Sequence, residues 1–247
     1  MSRRTELGVL DLQGGVHEHL DHLARLGVAA RRVKEARDLE GLAGLIVPGG
    51  ESTCLARLLR IFELEAPIVD EHRRGMKLWG TCAGAILLAT ENVGGPAHLG
   101  LIDVAVERNA FGSQLDSFTT EALVPKVASA AVPLTFIRAP KIVRVGQGVE
   151  VLLRLDDYVA AAEAEGVLAT VFHPELTPSL AFHRYFARKC GLSPADAGDG
   201  AAIDSQWTGR SWVRSAPPAV RCRPTEGDHD GSRPSGGDRA FRPGERG

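Results

Sequence analysis

Cys82 is the residue of this 247-residue chain whose surroundings point most directly to chemistry. It stands in Gly80-Thr81-Cys82-Ala83-Gly84, between an apolar run that predicts a strand and a run that predicts a helix. A sharp turn through small residues places one side chain at an exposed tip, as in a nucleophile elbow. The start of a helix favours the thiolate, which is the nucleophilic form of cysteine. Taken alone, the segment also fits a small buried cysteine in a tight junction.

A cysteine nucleophile needs a group that accepts and returns a proton, and His173 is the candidate. It follows a predicted strand in Phe172-His173-Pro174-Glu175. Because Pro174 keeps the preceding residue extended, the His173 ring should project beyond the strand end. Glu175 could accept a hydrogen bond from the second ring nitrogen and orient the ring. Taken alone, the segment also fits a strand-end histidine beside a solvated glutamate.

A glycine-rich loop, Pro48-Gly49-Gly50-Glu51-Ser52, follows another predicted strand and opens a helix. Such a loop exposes backbone N–H groups to a ligand, so we predict an oxyanion hole formed by the N–H groups of Gly50 and Ala83. The loop lacks the GxxxxGK[ST] pattern of a phosphate-binding P-loop. The alternative is a plain glycine turn with Ser52 as the helix N-cap.

Two arginines and three histidines are weaker candidates. Arg108 and Arg138 each lie at the end of a predicted strand and could bind a carboxylate, although each alone also fits a surface charge. His17, His19 and His22 lie on the first predicted helix, but no cysteine or carboxylate pattern completes a metal site there. We therefore predict no metal and interpret these histidines as part of a solvated polar face.

Strands and helices alternate over the first ~90 residues, which predicts a parallel sheet covered on both faces. Ligands bind such sheets at the carboxyl ends of the strands, where Cys82 and the loop 48–50 both fall. After residue 99 the predicted strands are shorter, with few helices between them. We predict strands at 7–12, 28–33, 44–47, 101–108, 118–124, 134–137, 149–155 and 167–172, and helices at 16–26, 51–62, 66–73 and 178–189.

Composition narrows the class of protein. The net charge of −2 gives no reason to expect a nucleic acid or a membrane surface as partner, and no apolar run approaches the ~18 residues of a membrane span. The four cysteines form no CxxC pair and no signal segment precedes the first strand, so we expect a reduced, cytoplasmic protein. Residues 191–247 contain 10 glycines and 6 prolines, which predicts a disordered extension after a domain of residues 1–190.

Six segments of the chain occur in a characteristic order: Leu10–Gly15, Pro48–Thr53, Gly80–Gly84, Glu107–Gly112, Phe136–Pro140 and Phe172–Thr177. Together they closely resemble the glutaminase subunits of pyridoxal 5′-phosphate synthase, a family of class I (triad) glutamine amidotransferases. The resemblance covers about residues 7 to 189. It implies a three-layer α/β/α sandwich with a central mixed, mostly parallel sheet.

The resemblance also implies roles for individual residues. Cys82 would be the nucleophile, His173 the base and acid, and Glu175 its orienting partner in the hydrolysis of L-glutamine to L-glutamate and ammonia. No cofactor is implied. The synthase subunit would activate the enzyme and use the ammonia to make pyridoxal 5′-phosphate from ribose 5-phosphate and glyceraldehyde 3-phosphate. Gln13 would sense that partner. The implied substrate contacts are Gly50, Glu51, Ser52, Arg108, Ile137 and Arg138.

The sequence alone leaves other functions open. The chain could be a glutaminase that serves another synthase, or a non-catalytic binding protein of the same fold. A hydrolase of the intracellular-peptidase type would have its histidine soon after the cysteine, whereas His173 lies 91 residues beyond Cys82.

Overall fold

The computed structural model describes residues 4–108 and 117–196, together with the backbone of a two-residue strand at 214–215. Its helices are α1 (Val16–Arg25), α2 (Ser52–Ile61), α3 (Glu65–Arg73), α4 (Ala83–Leu88) and α5 (Ala181–Lys189), with short 3-10 turns at Ala36–Leu39 and Pro174–Leu176. Its strands are β1 (Glu6–Leu10), β2 (Ala30–Val33), β3 (Leu42–Val47), β4 (Lys77–Thr81), β5 (Ala89–Val93), β6 (Ile102–Glu107), β7 (Phe118–Leu123), β8 (Ala131–Phe136), β9 (Lys141–Val145), β10 (Glu150–Leu155), β11 (Tyr158–Ala164), β12 (Val167–Thr170) and β13 (Arg214–Ser215).

Ten of these strands form one mixed sheet in the order β2-β1-β3-β4-β12-β11-β9-β6-β5, with β10 paired to β11. The pairings from β2 to β12 are all parallel, and β5 also runs parallel to β6. The pairings that involve β9, β10 or β11 are antiparallel. Strands β13, β7 and β8 form a separate small sheet. The predicted mixed, mostly parallel sheet is confirmed.

Helices cover both faces of the large sheet. On β4, Trp79 stacks against Phe182 of α5, whereas a Cβ on its neighbour Gly80 would meet the backbone of Gly84 in α4. Because successive strand residues point to opposite faces, α5 and α4 lie on opposite sides of the sheet. Helix α1 packs with α5, and α2 packs with α4, so the molecule has the predicted three layers.

The parallel strands bring separate parts of the sequence to one edge. Residue pairs Val47–Gly80 and Thr81–Thr170 lie side by side in the register of β3, β4 and β12. The loops that follow these strands therefore leave the sheet next to one another. The loop after β3, the turn after β4 and the segment after β12 contain the predicted catalytic residues.

Strands β5 and β9 are absent from the sequence-based prediction, and the pattern at 159–165, where the structure has β11, favours no single element. The helix after Cys82 ends at Leu88, and β5 begins at the next residue and pairs with β6. Strand β9 was not predicted either, and it joins β6 to β11 in the sheet. Both segments are short and partly exposed. Their conformation is therefore decided by pairing with other strands and not by the local sequence pattern.

No helix within the described part of the chain is long and apolar enough to cross a membrane. The boundary of the predicted domain stays a prediction, because most of residues 191–247 lies outside the described residues. Residues 191–196 continue from α5, and the N–H of Ala195 donates to the carbonyl of Leu26.

Candidate active site

The turn between β4 and α4 holds Cys82 in a conformation that non-glycine residues rarely adopt. Its φ is 47° and its ψ is −106°, and its N–H donates to the carbonyl of Thr170 at 2.8 Å. Backbone strain of this kind costs about 1–3 kcal/mol and is concentrated at functional sites. The strained turn directs the Cys82 side chain, which is 6% exposed, into a pocket at the edge of the sheet.

Glycine makes this turn possible because the helix lies very close to two strands. A Cβ on Gly84 would lie 1.9 Å from the carbonyl oxygen of Val47, and a Cβ on Gly80 would lie 2.5 Å from the backbone of Gly84. Neither position has room for a side chain. The small residues seen in the sequence are therefore required for the close approach of α4 to β3 and β4.

His173 lies between Cys82 and Glu175. Its Nδ1 is 2.7 Å from Oε1 of Glu175, and its ring lies close enough to Cys82 for the two side chains to interact electrostatically. Because Nδ1 is occupied, Nε2 is the nitrogen left for the sulfur. Glu175 is only 1% exposed, so the solvated glutamate considered as an alternative is wrong.

The electrostatics of the site favour the charged forms of His173 and Glu175. Burial lowers the pKa of His173, but the charges of Cys82 and Glu175 outweigh burial and hold that pKa well above its usual value. Burial likewise raises the pKa of Glu175, but the neighbouring His19 and His173 lower it below its usual value. These shifts favour a protonated His173 ring beside an ionised Glu175 carboxylate.

These residues open onto a pocket of about 570 Å³. All ten site residues predicted from the sequence line it: Gly50, Glu51, Ser52, Cys82, Ala83, Arg108, Ile137, Arg138, His173 and Glu175. Their roles stay predictions, but the pocket brings together side chains from five separate segments. It is lined in addition by Gly14, Gly15, Glu18, Gly49, Ile86, Pro140 and Leu176, none of which was predicted.

The glycine-rich loop is held from both sides. The N–H of Gly49 donates to the hydroxyl of Thr81, and the N–H of Glu51 donates to the side chain of Gln13. Within the part of the chain that the structure describes, the N–H groups of Gly50 and Ala83 donate no hydrogen bond. The two predicted oxyanion donors therefore have no acceptor among the described residues, and both residues line the pocket.

Glu51, not Ser52, is the N-cap of α2. Its carboxylate accepts hydrogen bonds from the N–H groups of Thr53 and Cys54, and Arg108 forms an ion pair with it at 3.3 Å. These backbone hydrogen bonds, followed by the Arg108 charge, hold the pKa of Glu51 below its usual value. Ser52 is instead the first residue of the helix and is buried, so the Ser52 cap considered from the sequence is wrong.

The predicted solvated histidine face on α1 is also wrong for two of its residues. His19 and His22 are fully buried between α1 and α5, together with His183. The i, i+3 spacing from Val16 to His19 and His22 would have placed both on the apolar face, and only their polarity argued against it. In residues 4–108 and 117–196, no group of His, Cys, Asp or Glu side chains could hold a metal ion.

Comparisons with known proteins found relatives that cover most of the chain. A family model described as the SNO glutamine amidotransferase family matches residues 9–192. A pyridoxal 5′-phosphate synthase subunit PdxT from Syntrophus aciditrophicus (strain SB) is 63% identical over 216 residues, which cover 87% of this chain and 96% of the relative. The PdxT subunit of Ruminiclostridium cellulolyticum is 49% identical and covers 74% of this chain and 97% of its own length.

Among solved structures, that of a glutamine amidotransferase is 46% identical and superimposes with a TM-score of 0.71. It covers 75% of this chain and 98% of the solved chain. The match to the Syntrophus protein is longer than the predicted domain of residues 1–190, so part of that similarity falls after residue 190.

Proposed function

Because the chain belongs to the SNO glutamine amidotransferase family, we propose that it is the glutaminase subunit of a pyridoxal 5′-phosphate synthase. It hydrolyses L-glutamine to L-glutamate and passes the ammonia to a synthase subunit. The observation that carries this proposal is the 63% identity to a PdxT subunit over 96% of that protein's length. The pocket described above provides the residues for the chemistry.

The reaction begins at Cys82. Its thiolate attacks the side-chain amide carbon of glutamine and forms a tetrahedral intermediate. The oxyanion of this intermediate accepts hydrogen bonds from the N–H groups of Gly50 and Ala83, neither of which donates to a described residue. One such donor typically contributes about 10²–10³ in rate.

His173 then delivers the proton that the leaving group needs. Its imidazolium, oriented by Glu175 at 2.7 Å, protonates the departing ammonia and leaves a γ-glutamyl thioester on Cys82. The neutral ring next accepts a proton from water, which attacks the thioester and releases glutamate. The carboxylate of Glu175 binds Nδ1–H and so keeps Nε2, the nitrogen that gives and takes the proton, directed at the sulfur throughout.

The loop of residues 48–51 is the part of the site that a partner can control. Gln13 holds the loop through the N–H of Glu51, and Gln13 follows β1 at the same edge of the sheet. A synthase subunit that contacts Gln13 would therefore act on the oxyanion donor Gly50 next to it. The free cysteines 54, 82 and 190 support the cytoplasm as the place of action.

The test is an assay of glutamate release with and without the cognate synthase subunit. We expect the synthase to raise kcat at least tenfold, which corresponds to about 1.4 kcal/mol of barrier. Cys82→Ala in the same complex should retain the fold and lose the activity, whereas the matched control Cys190→Ala should keep it. Glutamate release at the parent rate by Cys82→Ala would contradict the mechanism. A parent complex without any release would favour the non-catalytic binding protein.

A further inference from the structure

Three histidines form a buried cluster that the proposed reaction does not use. His19 and His22 on α1 and His183 on α5 are each 0% exposed. The rings of His19 and His183 pack edge-on against Trp79 of β4, with centroids 5.6 and 4.9 Å from the indole. Burying imidazoles is costly unless they are hydrogen-bonded, so their partners indicate what they do.

The partners of His19 lead to the active site. Its Nδ1 is 2.8 Å from Nε2 of His183. Its Nε2 is 3.4 Å from the hydroxyl of Thr81 and 3.6 Å from Oε2 of Glu175. That oxygen is buried and has no hydrogen-bond partner among the described residues, while the other oxygen of the same carboxylate binds His173.

The contacts determine which nitrogens carry protons. If His183 donates from Nε2 to His19, then His19 carries its own proton on Nε2, where it faces the Glu175 carboxylate. The reverse assignment would direct a lone pair of His19 at that carboxylate. It would also leave a buried N–H on Nδ1 of His183, which has no partner in the described part of the chain.

Both rings are neutral under ordinary conditions. Burial lowers the pKa of His19 to about 4, although the Glu175 charge raises it in part, and burial also lowers the pKa of His183 well below its usual value. Each ring therefore has one N–H and one lone pair, which is the condition for the ordered chain from His183 through His19 to Glu175.

We propose that His19, oriented by His183, is a positioning residue whose Nε2–H donates to the hydroxyl of Thr81 and faces the second oxygen of Glu175 at 3.6 Å, near enough to stabilise its negative charge. This inference rests on the proposed function, because it assigns His19 to the glutaminase site. Through Glu175 it orients His173. Through Thr81, whose hydroxyl accepts the N–H of Gly49, it supports the oxyanion loop.

His22 provides a matched control on the same helix. It is equally buried and packs against His183 with ring centroids 4.5 Å apart. Its two nitrogens, however, lie 2.9 and 3.0 Å from the backbone carbonyls of Glu18 and Thr177, so that its single N–H donates to one of these and not to Glu175 or Thr81. Loss of its ring should weaken the packing of α1 and α5 without loosening the carboxylate.

The test compares His19→Leu, His19→Gln and His22→Leu in the complex with the synthase subunit. We expect His19→Leu to lower kcat at least tenfold with KM changed less than twofold. We also expect the acidic limb of its kcat profile to move to higher pH, because Glu175 loses a group that favours its ionised form. His19→Gln keeps an N–H near the position of Nε2 and should recover kcat to within threefold of the parent.

His22→Leu should lower thermal stability but keep kcat within twofold and leave the pH profile unchanged. The inference is overturned if His19→Leu keeps the parent kcat and profile, or if His19→Leu and His22→Leu lose kcat equally. A parent complex that releases no glutamate would instead contradict the proposed function.

Histidine ¹⁵N NMR of the parent protein decides the question even if His19→Leu does not fold. We expect His19 as the neutral Nε2–H tautomer at pH 7, with its signal assigned by its loss in His19→Gln. An Nδ1–H tautomer or an imidazolium at this position would overturn the inference.

Discussion

The carboxylate of Glu175 lies between two histidines and is almost completely buried. One oxygen binds His173 at 2.7 Å, and the other lies 3.6 Å from His19. Its negative charge is one of the reasons that the pKa of His173 lies well above its usual value. In the proposed reaction this raised pKa keeps the imidazolium available as the acid for ammonia.

Replacing this charge by an amide should therefore change both rate and pH dependence. We expect Glu175→Gln to lower kcat about 10²–10⁴-fold, the range typical of general acid–base catalysis. Because the pKa of His173 falls without the charge, the basic limb of the kcat profile should move to lower pH. The measurement is glutamate release between pH 6 and 10 with the synthase subunit present.

Glu163 offers the comparison for this prediction. It is also a buried carboxylate, on β11, but it pairs with Lys126 of the turn after β7 and with Lys189 of α5, and it does not line the pocket. Glu163→Gln should reduce stability and leave the pH profile in place. Equal profiles for the parent and Glu175→Gln would show that the charge of Glu175 does not act on His173.

At the scale of elements, the fit of the loop 48–50 and helix α4 against the strands depends on two glycines with different neighbours. A Cβ on Gly49 would lie 2.5 Å from the His173 ring and 3.1 Å from Cβ of Cys82. A Cβ on Gly84 would instead meet the backbone of β3 at Val47. A ring can move aside, but the backbone of a central strand cannot, so the two positions should respond differently.

We expect Gly49→Ala to lower kcat at least tenfold with a modest loss of stability, because the His173 ring must leave its place beside Cys82. Gly84→Ala should destabilise the fold by about 3 kcal/mol or prevent folding, since α4 must move away from β3. Urea unfolding and glutamate release, measured on both variants, check the pair. Parent activity in Gly49→Ala would contradict the geometry of the loop.

At the scale of the whole molecule, the buried histidines make stability depend on pH. The pKa of His19 is lowered to about 4, and those of His22 and His183 are also lowered, in each case mainly by burial. As the pH falls below about 6.5, the unfolded chain takes up these protons before the folded chain does. The contribution of these three histidines to stability is therefore complete above pH 6.5 and is lost as the pH falls toward 4.

His19 alone should remove about 2 kcal/mol of stability between pH 7 and pH 5. The raised pKa of His173 affects stability in a different pH range. Its contribution to stability is present below pH 6.5 and is lost as the pH rises through the pKa of His173 in the folded protein. Urea unfolding of the parent at pH 7, 6 and 5 should show the loss, and His19→Gln should show a smaller one. Parallel curves for parent and variant would refute the assignment to His19.

Much of this organisation followed from local pattern. The strand–turn–helix around Cys82, the glycine loop before Ser52 and the His-Pro-Glu segment were recognisable because each has a local steric requirement for small residues, glycine or proline. Their common location could also be predicted, because the carboxyl ends of neighbouring parallel strands lie at the same edge of a sheet. The order of the six segments indicated the family.

The tertiary structure alone decided the surroundings of those residues. Strands β5 and β9 exist because distant strands pair with them, and no local pattern marks either. Glu51 became the cap of α2 because its side chain reaches two N–H groups there. His19, His22 and His183 became core residues because α1 and α5 close over β4. Burial and hydrogen-bond partners depend on residues far apart in the chain, and a local sequence pattern does not contain those distances.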